Sequence, residues 1–170
     1  MKTLILTNLL QFGFMSIFLS ACNEPNAPGT ESPETRNMAT VKLILAAMDA
    51  GETSKFDEYL AADYQIHNPF LPQPGNLEVF KGLMAGQKAG FPDVTHEVVH
   101  MFAKDNMVCV RGIFKGTNTG PMQNLPATGN RVELAFIFTD EFTAEGKLKV
   151  RHVQFDTGAF NAQLMKDQTK

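Results

Sequence analysis

The chain has little with which to cross-link itself: two of its 170 residues are Cys, at positions 22 and 109. It also lacks any run of Lys or Arg, any internal repeat, and any apolar stretch comfortably long enough to span a bilayer, which takes ~20 predominantly apolar residues. The longest candidate, Leu4 to Leu19, is interrupted by Thr7, Asn8 and Gln11. These shortages exclude a good deal. A disulfide scaffold is ruled out if Cys22 is used elsewhere, so stability must come from a core. With a formal charge of −3 and no basic patch, nucleic acid is not an expected partner, nor is electrostatic adhesion to anionic lipid. A permanent membrane helix is the weaker reading of the first residues.

What is present at the start is a signal-peptide plan: Met1-Lys2, an apolar stretch, then Ser20-Ala21-Cys22 before an abrupt turn to polar composition. The tetrad Leu19-Ser20-Ala21-Cys22 resembles the bacterial lipobox, which implies acylation of Cys22 and cleavage before it. Two or more acyl chains, at ~0.8 kcal/mol per buried methylene, anchor stably where one binds reversibly. The alternative is an ordinary secretory signal followed by a chance Cys. The expected plan is a signal peptide over 1–21, a disordered tether over 22–36 and a folded domain over 37–170. That domain is expected outside the cytoplasm, lipid-anchored to the cell membrane or the outer membrane.

From Asn23 to Arg36 (NEPNAPGTESPETR) almost nothing is apolar, as in a linker. From Asn37 onward, Met38, Val41, Leu45 and Met48 fall at helical spacing, and Gly51 stops the helix. Thr53 or Ser54 can cap a short second helix carrying Phe56, Tyr59 and Leu60. Tyr64 to Asn68 reads as a short strand before a Pro-rich loop. Asn76 caps a third helix with Leu77, Phe80, Leu83 and Met84 on one face. Then the period changes. Val94 to Ala103, Met107 to Asn118, Arg131 to Phe142 and Lys147 to Thr157 are β-like runs. Helices followed by consecutive strands predict an α+β fold with an antiparallel sheet over the helices.

Alternation along these runs separates their faces. Val132, Leu134, Phe136, Phe138 and Phe142 share one side of the third run, and Val108, Val110, Gly112, Phe114 and Gly116 one side of the second. The last run departs from this pattern. Leu148, Val150, His152, Gln154 and Asp156 share a face, opposite Lys149, Arg151, Val153 and Phe155. Polar groups in a pocket wall would suggest a site; on a solvent face they would be ordinary. The pattern leaves both open.

The order of motifs is recognisable: His67-Asn68-Pro69, Phe91-Pro92-Asp93, Gly116-Thr117-Asn118-Thr119-Gly120, Pro126-Ala127-Thr128-Gly129, Gly146-Lys147-Leu148, and Asp156 followed by Gln163-Leu164. Over Met38 to Leu164 this resembles the SnoaL-like polyketide cyclases of the NTF2-like superfamily. The resemblance implies a strongly curved, mainly antiparallel sheet wrapped as a cone around three N-terminal helices, with a short C-terminal helix and an apolar pocket. It implies no metal or organic cofactor, and an Asp on the last strand, here Asp156, that moves a proton next to a carbonyl. It also implies that the opposite sheet face, with Val153 and Phe155, can pair in a homodimer. Three positions depart from the family: His152 stands where Trp is common, Asn118 where a His often follows Gly-Thr, and Val150 where Glu is usual.

Asp156 is the catalytic candidate, since an apolar cone raises a carboxyl's pKa toward the useful range; the alternative is a cap on the final helix near Ala159. His67 and Asn118 are its candidate partners, against a turn-forming role for both. His152, Gln154, Asn118, Phe91, Phe114 and Phe136 are expected to bind substrate. Phe70, Phe138, Met84 and Met101 join a group of which two or three would face a pocket. Cys109, in a core-like strand, is expected to be structural. His96-Glu97-Val98-Val99-His100 is a literal HExxH, which on a helix would hold zinc. Its Val pair and flanks read as a strand, which would set the two imidazoles ~13 Å apart. Three functions follow: a metal-free acid/base enzyme acting on a small apolar carbonyl compound, a binding protein for a small apolar ligand, or a zinc hydrolase.

Overall fold

A computed structural model describes residues 31–122 and 125–166. The signal peptide, Cys22 and most of the tether lie outside the described residues. Among those described, no helix is long and apolar enough to cross a membrane.

The first helix, α1 (Pro33–Ala50), begins inside the segment expected to be tether. The residues that suggested disorder make a helix start: Ser32 accepts the Thr35 N–H at 3.2 Å, Pro33 holds the first helical position and Glu34 the first turn. Gly51, at φ 76°, ends it as expected, its N–H donating to the Met48 carbonyl at 3.2 Å. A 3-10 turn (Thr53–Lys55) leads into α2 (Phe56–Tyr59), and Leu60, expected in that helix, already opens strand β1 (Leu60–His67). Asn76 caps α3 (Leu77–Gly90) by accepting the Val79 N–H at 3.0 Å. Strands β2 (Thr95–Lys104), β3 (Met107–Thr117), β4 (Arg131–Phe142) and β5 (Leu148–Phe155) follow, then α4 (Thr157–Leu164).

The fold is α+β, a five-stranded curled sheet with the order β1-β5-β4-β3-β2. All pairings are antiparallel except β1 with β5. α1 packs on β2 and β3, α3 on β1 and α4 on β4, so the concave face is covered. The apolar series expected on β3 and β4 is buried there, from Val108 and Val110 to Phe138 and Phe142.

β5 carries an irregularity that decides the rest. Phe142 pairs with Leu148 but Glu141 pairs with Val150, so Lys149 is an extra residue. Because side chains alternate with a period of two, one inserted residue exchanges the faces downstream. Leu148 points inward, and so do Arg151, Val153 and Phe155. His152 and Gln154 point out.

The same bulge aligns Arg151 with Asp140. The guanidinium donates through Nε to Oδ1 at 2.8 Å and through Nη2 to Oδ2 at 2.6 Å, with both residues almost wholly buried. Burial disfavours the Arg151 charge, but Asp140 outweighs it and raises the pKa. Nearby Tyr64 is pushed up, chiefly by burial.

A buried pair is worth little against well-packed apolar replacements, but breaking it leaves a stranded charge at ~3–5 kcal/mol. Arg151→Met is therefore expected to lose about that much in denaturant unfolding. The double variant Arg151→Met/Asp140→Leu should recover most of it. A single variant as stable as the double would show that the carboxylate is not stranded.

Candidate functional site

The concave face, α3 and α4 enclose a cavity of about 410 Å³. Small-molecule sites commonly run ~300–1,000 Å³ and are mostly apolar with a few polar groups. This one conforms. Phe114, Phe136, Phe138, Val153 and Phe155 come from the sheet, Phe160 from α4, and Asn68, Gln87, His96 and Arg151 are its polar side chains. On α3, Gly82 and Gly86 also line it, and a Cβ at either would meet nothing within 4 Å. Helix interiors normally disfavour Gly by roughly 1 kcal/mol relative to Ala, so open space on this wall is kept at a cost in helix stability.

His96 is the best-oriented polar group. Its Nδ1 lies 2.5 Å from Asp49 Oδ1, and its backbone N–H donates to Asp49 Oδ2 at 3.1 Å. Asp49 is itself placed at the end of α1, where Lys88 donates to its carbonyl at 2.5 Å and to that of Pro92 at 2.8 Å. The imidazole, whose side chain is 5% exposed, meets the edges of Phe114 and Phe136 at centroid separations of 5.6 and 5.7 Å. Phe136 lies over Gly112, where any Cβ would overlap its ring, and stacks on Phe138 at 4.7 Å. With Nδ1 engaged by a carboxylate, Nε2 is the nitrogen left for a ligand, the arrangement that orients a histidine base. Among the described residues lining the cavity there is no hydroxyl, thiol, amine or carboxylate. A histidine without a nucleophile beside it can take and return a proton.

The residues expected from the sequence divide sharply. Phe91, Phe114 and Phe136, expected to bind substrate, line the cavity, and Phe70, Phe138 and Met84 do too, more than the two or three anticipated on a pocket wall. Asp156 does not. It is exposed, and its Oδ1 accepts the Ala159 N–H at 2.8 Å as the N-cap of α4, so no apolar surroundings act on it. His152 and Gln154 are exposed on the outer face, turned there by the extra Lys149. His67 is half-buried on that face and stacks on His152 at 4.1 Å with the rings 13° from parallel. Asn118 is buried but structural: it donates to the carbonyls of Gly90 and Gly120 at 3.0 and 2.9 Å and accepts the Thr128 N–H at 2.8 Å. No hydrogen bond joins His67 or Asn118 to Asp156 among the described residues. Val153 and Phe155, expected on a dimer face, point into the cavity. Cys109 is half-buried on the outer side, opposite Phe102 and Thr139, rather than in the core.

The HExxH segment lies in β2, as its residues suggested, and has an extra residue of its own at Val99. His96 faces inward beside Phe114, Glu97 pairs with Lys115 at 2.5 Å, and His100 sits opposite Arg111. The zinc motif needs a helix to bring both imidazoles to one side, and here there is none.

Asp49, Gln87, Asp140 and Arg151 were not anticipated. Asp140 left one trace, as the charged member of the series Val132, Leu134, Phe136, Phe138 and Phe142. Gln87 has a buried Oε1 with no hydrogen-bond partner, which marks the α3 wall as a place where a ligand donor is wanted.

The cap predicts an outcome opposite to that of a proton-transfer group. Asp156→Ala should cost about 1 kcal/mol of stability, while Asp156→Asn, an equally good cap, should stay within a few tenths. Neither should change occupancy of the cavity by an apolar probe. A loss of probe binding in a stable Asp156→Asn protein would restore Asp156 to the site.

Comparison with known proteins gives a consistent picture. A family model described as SnoaL-like polyketide cyclase matches residues 39–164. No curated protein matches. Among solved structures, TsrD from Streptomyces laurentii aligns at a TM-score of 0.68 and 19% identity, over 79% of this chain and 98% of that one. IdmH from Streptomyces antibioticus aligns at 0.65 and 23%, over 75% and 97%. A SnoaL-like polyketide cyclase from Agrobacterium tumefaciens aligns at 0.62 and 16%, over 75% and 97%. At these identities the likeness establishes the fold, the NTF2-like cone.

Proposed function

Since the chain belongs to the SnoaL-like polyketide cyclase family, we propose that its domain is an acid/base enzyme that removes and returns a proton next to the carbonyl of a small apolar compound. The observation that carries this reading is His96, which lines the apolar cavity with Nδ1 tied to Asp49 and so leaves Nε2 as the ring nitrogen free for a ligand. In such surroundings an imidazole can abstract an α-proton to give an enolate and later return the proton, the elementary steps of an aldol closure or an isomerisation. Asp49 acts as a positioning residue, holding the ring and stabilising the imidazolium as it forms. The role first sought at Asp156 passes to His96.

The exposure of Asp156 favours a second reading, in which the same cavity binds an apolar ligand without turnover. Deuterium exchange separates the two. The α-protons of 2-tetralone in buffered D₂O, followed by proton NMR, should exchange faster with the wild-type protein. His96→Gln should lose roughly 10²- to 10⁴-fold of that acceleration while binding the ketone with little change. Bound ketone with no acceleration by the wild type would leave the binding reading standing.

The reading includes an address. With acylated Cys22 as its first residue, the mature chain has 149 residues, loses Lys2 and carries a formal charge of −4, so lipid rather than electrostatics holds it at a membrane. Radiolabelled palmitate should mark the wild type and not Cys22→Ser, which should leave the membrane fraction or remain as precursor. Label on Cys22→Ser would remove the anchor from the proposal.

A further inference from the structure

Arg151 is unusual among the cavity's polar groups because its charge is already neutralised while part of its donor capacity is unused. Of the five N–H donors of a guanidinium, one on Nε and one on Nη2 go to Asp140. Nη1 meets one acceptor among the described residues, the sulfur of Met48 at 3.7 Å. Thioether sulfur is a weak acceptor. The guanidinium also lies 4.3 Å from the centre of the Phe138 ring, and Arg151, Met48 and Phe138 all line the cavity. A cationic N–H is thus held on an apolar wall with no oxygen among the described residues to receive it, although hydrogen bonds from charged donors are the strong ones.

We infer that Arg151 forms a subsite for a neutral acceptor oxygen, the carbonyl of a ketone, ester or quinone, and that this subsite selects against carboxylates. The inference rests on the reading that the cavity takes an apolar carbonyl compound. The sign of the selection comes from Asp140. Arg151 and Asp140 together are neutral, so a carbonyl oxygen gains a charge-assisted hydrogen bond and adds no charge. A carboxylate would place a second anion on the guanidinium that Asp140 already occupies, in a site too dry to screen the two.

The wall between the two polar groups indicates the shape of the ligand. His96 meets Phe136, Phe136 stacks on Phe138 with the rings 12° from parallel, and Phe138 meets Arg151. A flat apolar molecule can lie along this row with its oxygen at Arg151. The same contact would favour negative charge on that oxygen as an enolate forms, so Arg151 would raise turnover as well as affinity.

Three probes of one shape test this on the full chain: 2-acetylnaphthalene, 2-ethylnaphthalene and 2-naphthoate. The sequence contains no Trp, so naphthalene fluorescence reports binding with little background. The wild type should bind the ketone at least about tenfold more tightly than the hydrocarbon or the carboxylate, tenfold being ~1.4 kcal/mol. Arg151→Met/Asp140→Leu should bind the ketone and the hydrocarbon within a factor of three of each other. In the wild type, the carbonyl stretch of the bound ketone should also move to lower frequency, a readout that needs no variant. Equal affinities in the wild type, a preference surviving in the folded double variant, an unshifted carbonyl band, tightest binding of naphthoate, or no binding of any probe would each overturn the subsite. His96→Gln should keep the ketone preference. A wild type that prefers the ketone but exchanges no protons would therefore fail the base and leave the subsite intact.

Discussion

β5 has one residue more than β4 can pair with, and the composition of the cavity depends on where that residue goes. Between the Phe142–Leu148 and Glu141–Val150 pairs the strand bulges at Lys149, whose ammonium lies 3.4 Å from Asp63 at the exposed surface. Absorbing the surplus there turns Arg151, Val153 and Phe155 inward and sends His152 and Gln154 to water. Had the strand run straight, a guanidinium would have faced solvent and an imidazole and an amide would have faced the core. The buried ion pair and the capped entry to α4 both follow from this single offset.

The cavity spends its polarity sparingly, and its two ionisable groups are each restrained by a carboxylate outside the cavity. His96 is held by a carboxylate from α1, and Arg151 by a carboxylate from β4. In both cases the ionisable partner stands behind the group that faces the ligand, so the wall presents donors and one base rather than exposed charge. That division suits a neutral ligand better than one that arrives charged. It also makes α1 part of the site, although apart from Met48 the helix contributes packing rather than cavity wall.

The frame of this molecule was largely legible in its residues. The cap at Asn76, the stop at Gly51, the limits of β4 and the inward sides of β3 and β4 rest on local chemistry, and the structure keeps them. Reading failed where pairing, not composition, decides. A bulge is a property of two strands at once, so alternation carried forward from Leu148 gave every later residue of β5 the wrong side, and Asp156 with them. The end of the tether was misjudged for a related reason, since Ser32, Pro33 and Glu34 are as good at opening a helix as at avoiding one. The pairs that build the site are joined only by the fold: Asp49 and His96 stand 47 positions apart, and nothing local to either points to the other. His96 itself was singled out for a metal motif, which drew attention to Glu97 and His100 rather than to what lay across the cavity. Asp140 was the remaining clue, because a lone charge in an apolar series requires a partner of opposite sign.

The strand order β1-β5-β4-β3-β2 has a kinetic consequence. Among the described residues, the last strand to be synthesised lies between β1 and β4, and the only sheet neighbour of β1 is β5. A nascent chain can form the β2-β3-β4 meander by local pairing, but β1 must wait for residues 85 to 88 positions downstream (Gln65 with Val150, Leu60 with Leu148), a closure that carries the entropy of a long loop. Until then Asp140 has no counter-ion and the concave face is open along one side. Completion of the sheet is therefore gated by the C-terminal end of the domain, because β1 finds its partner only when β5 is in place.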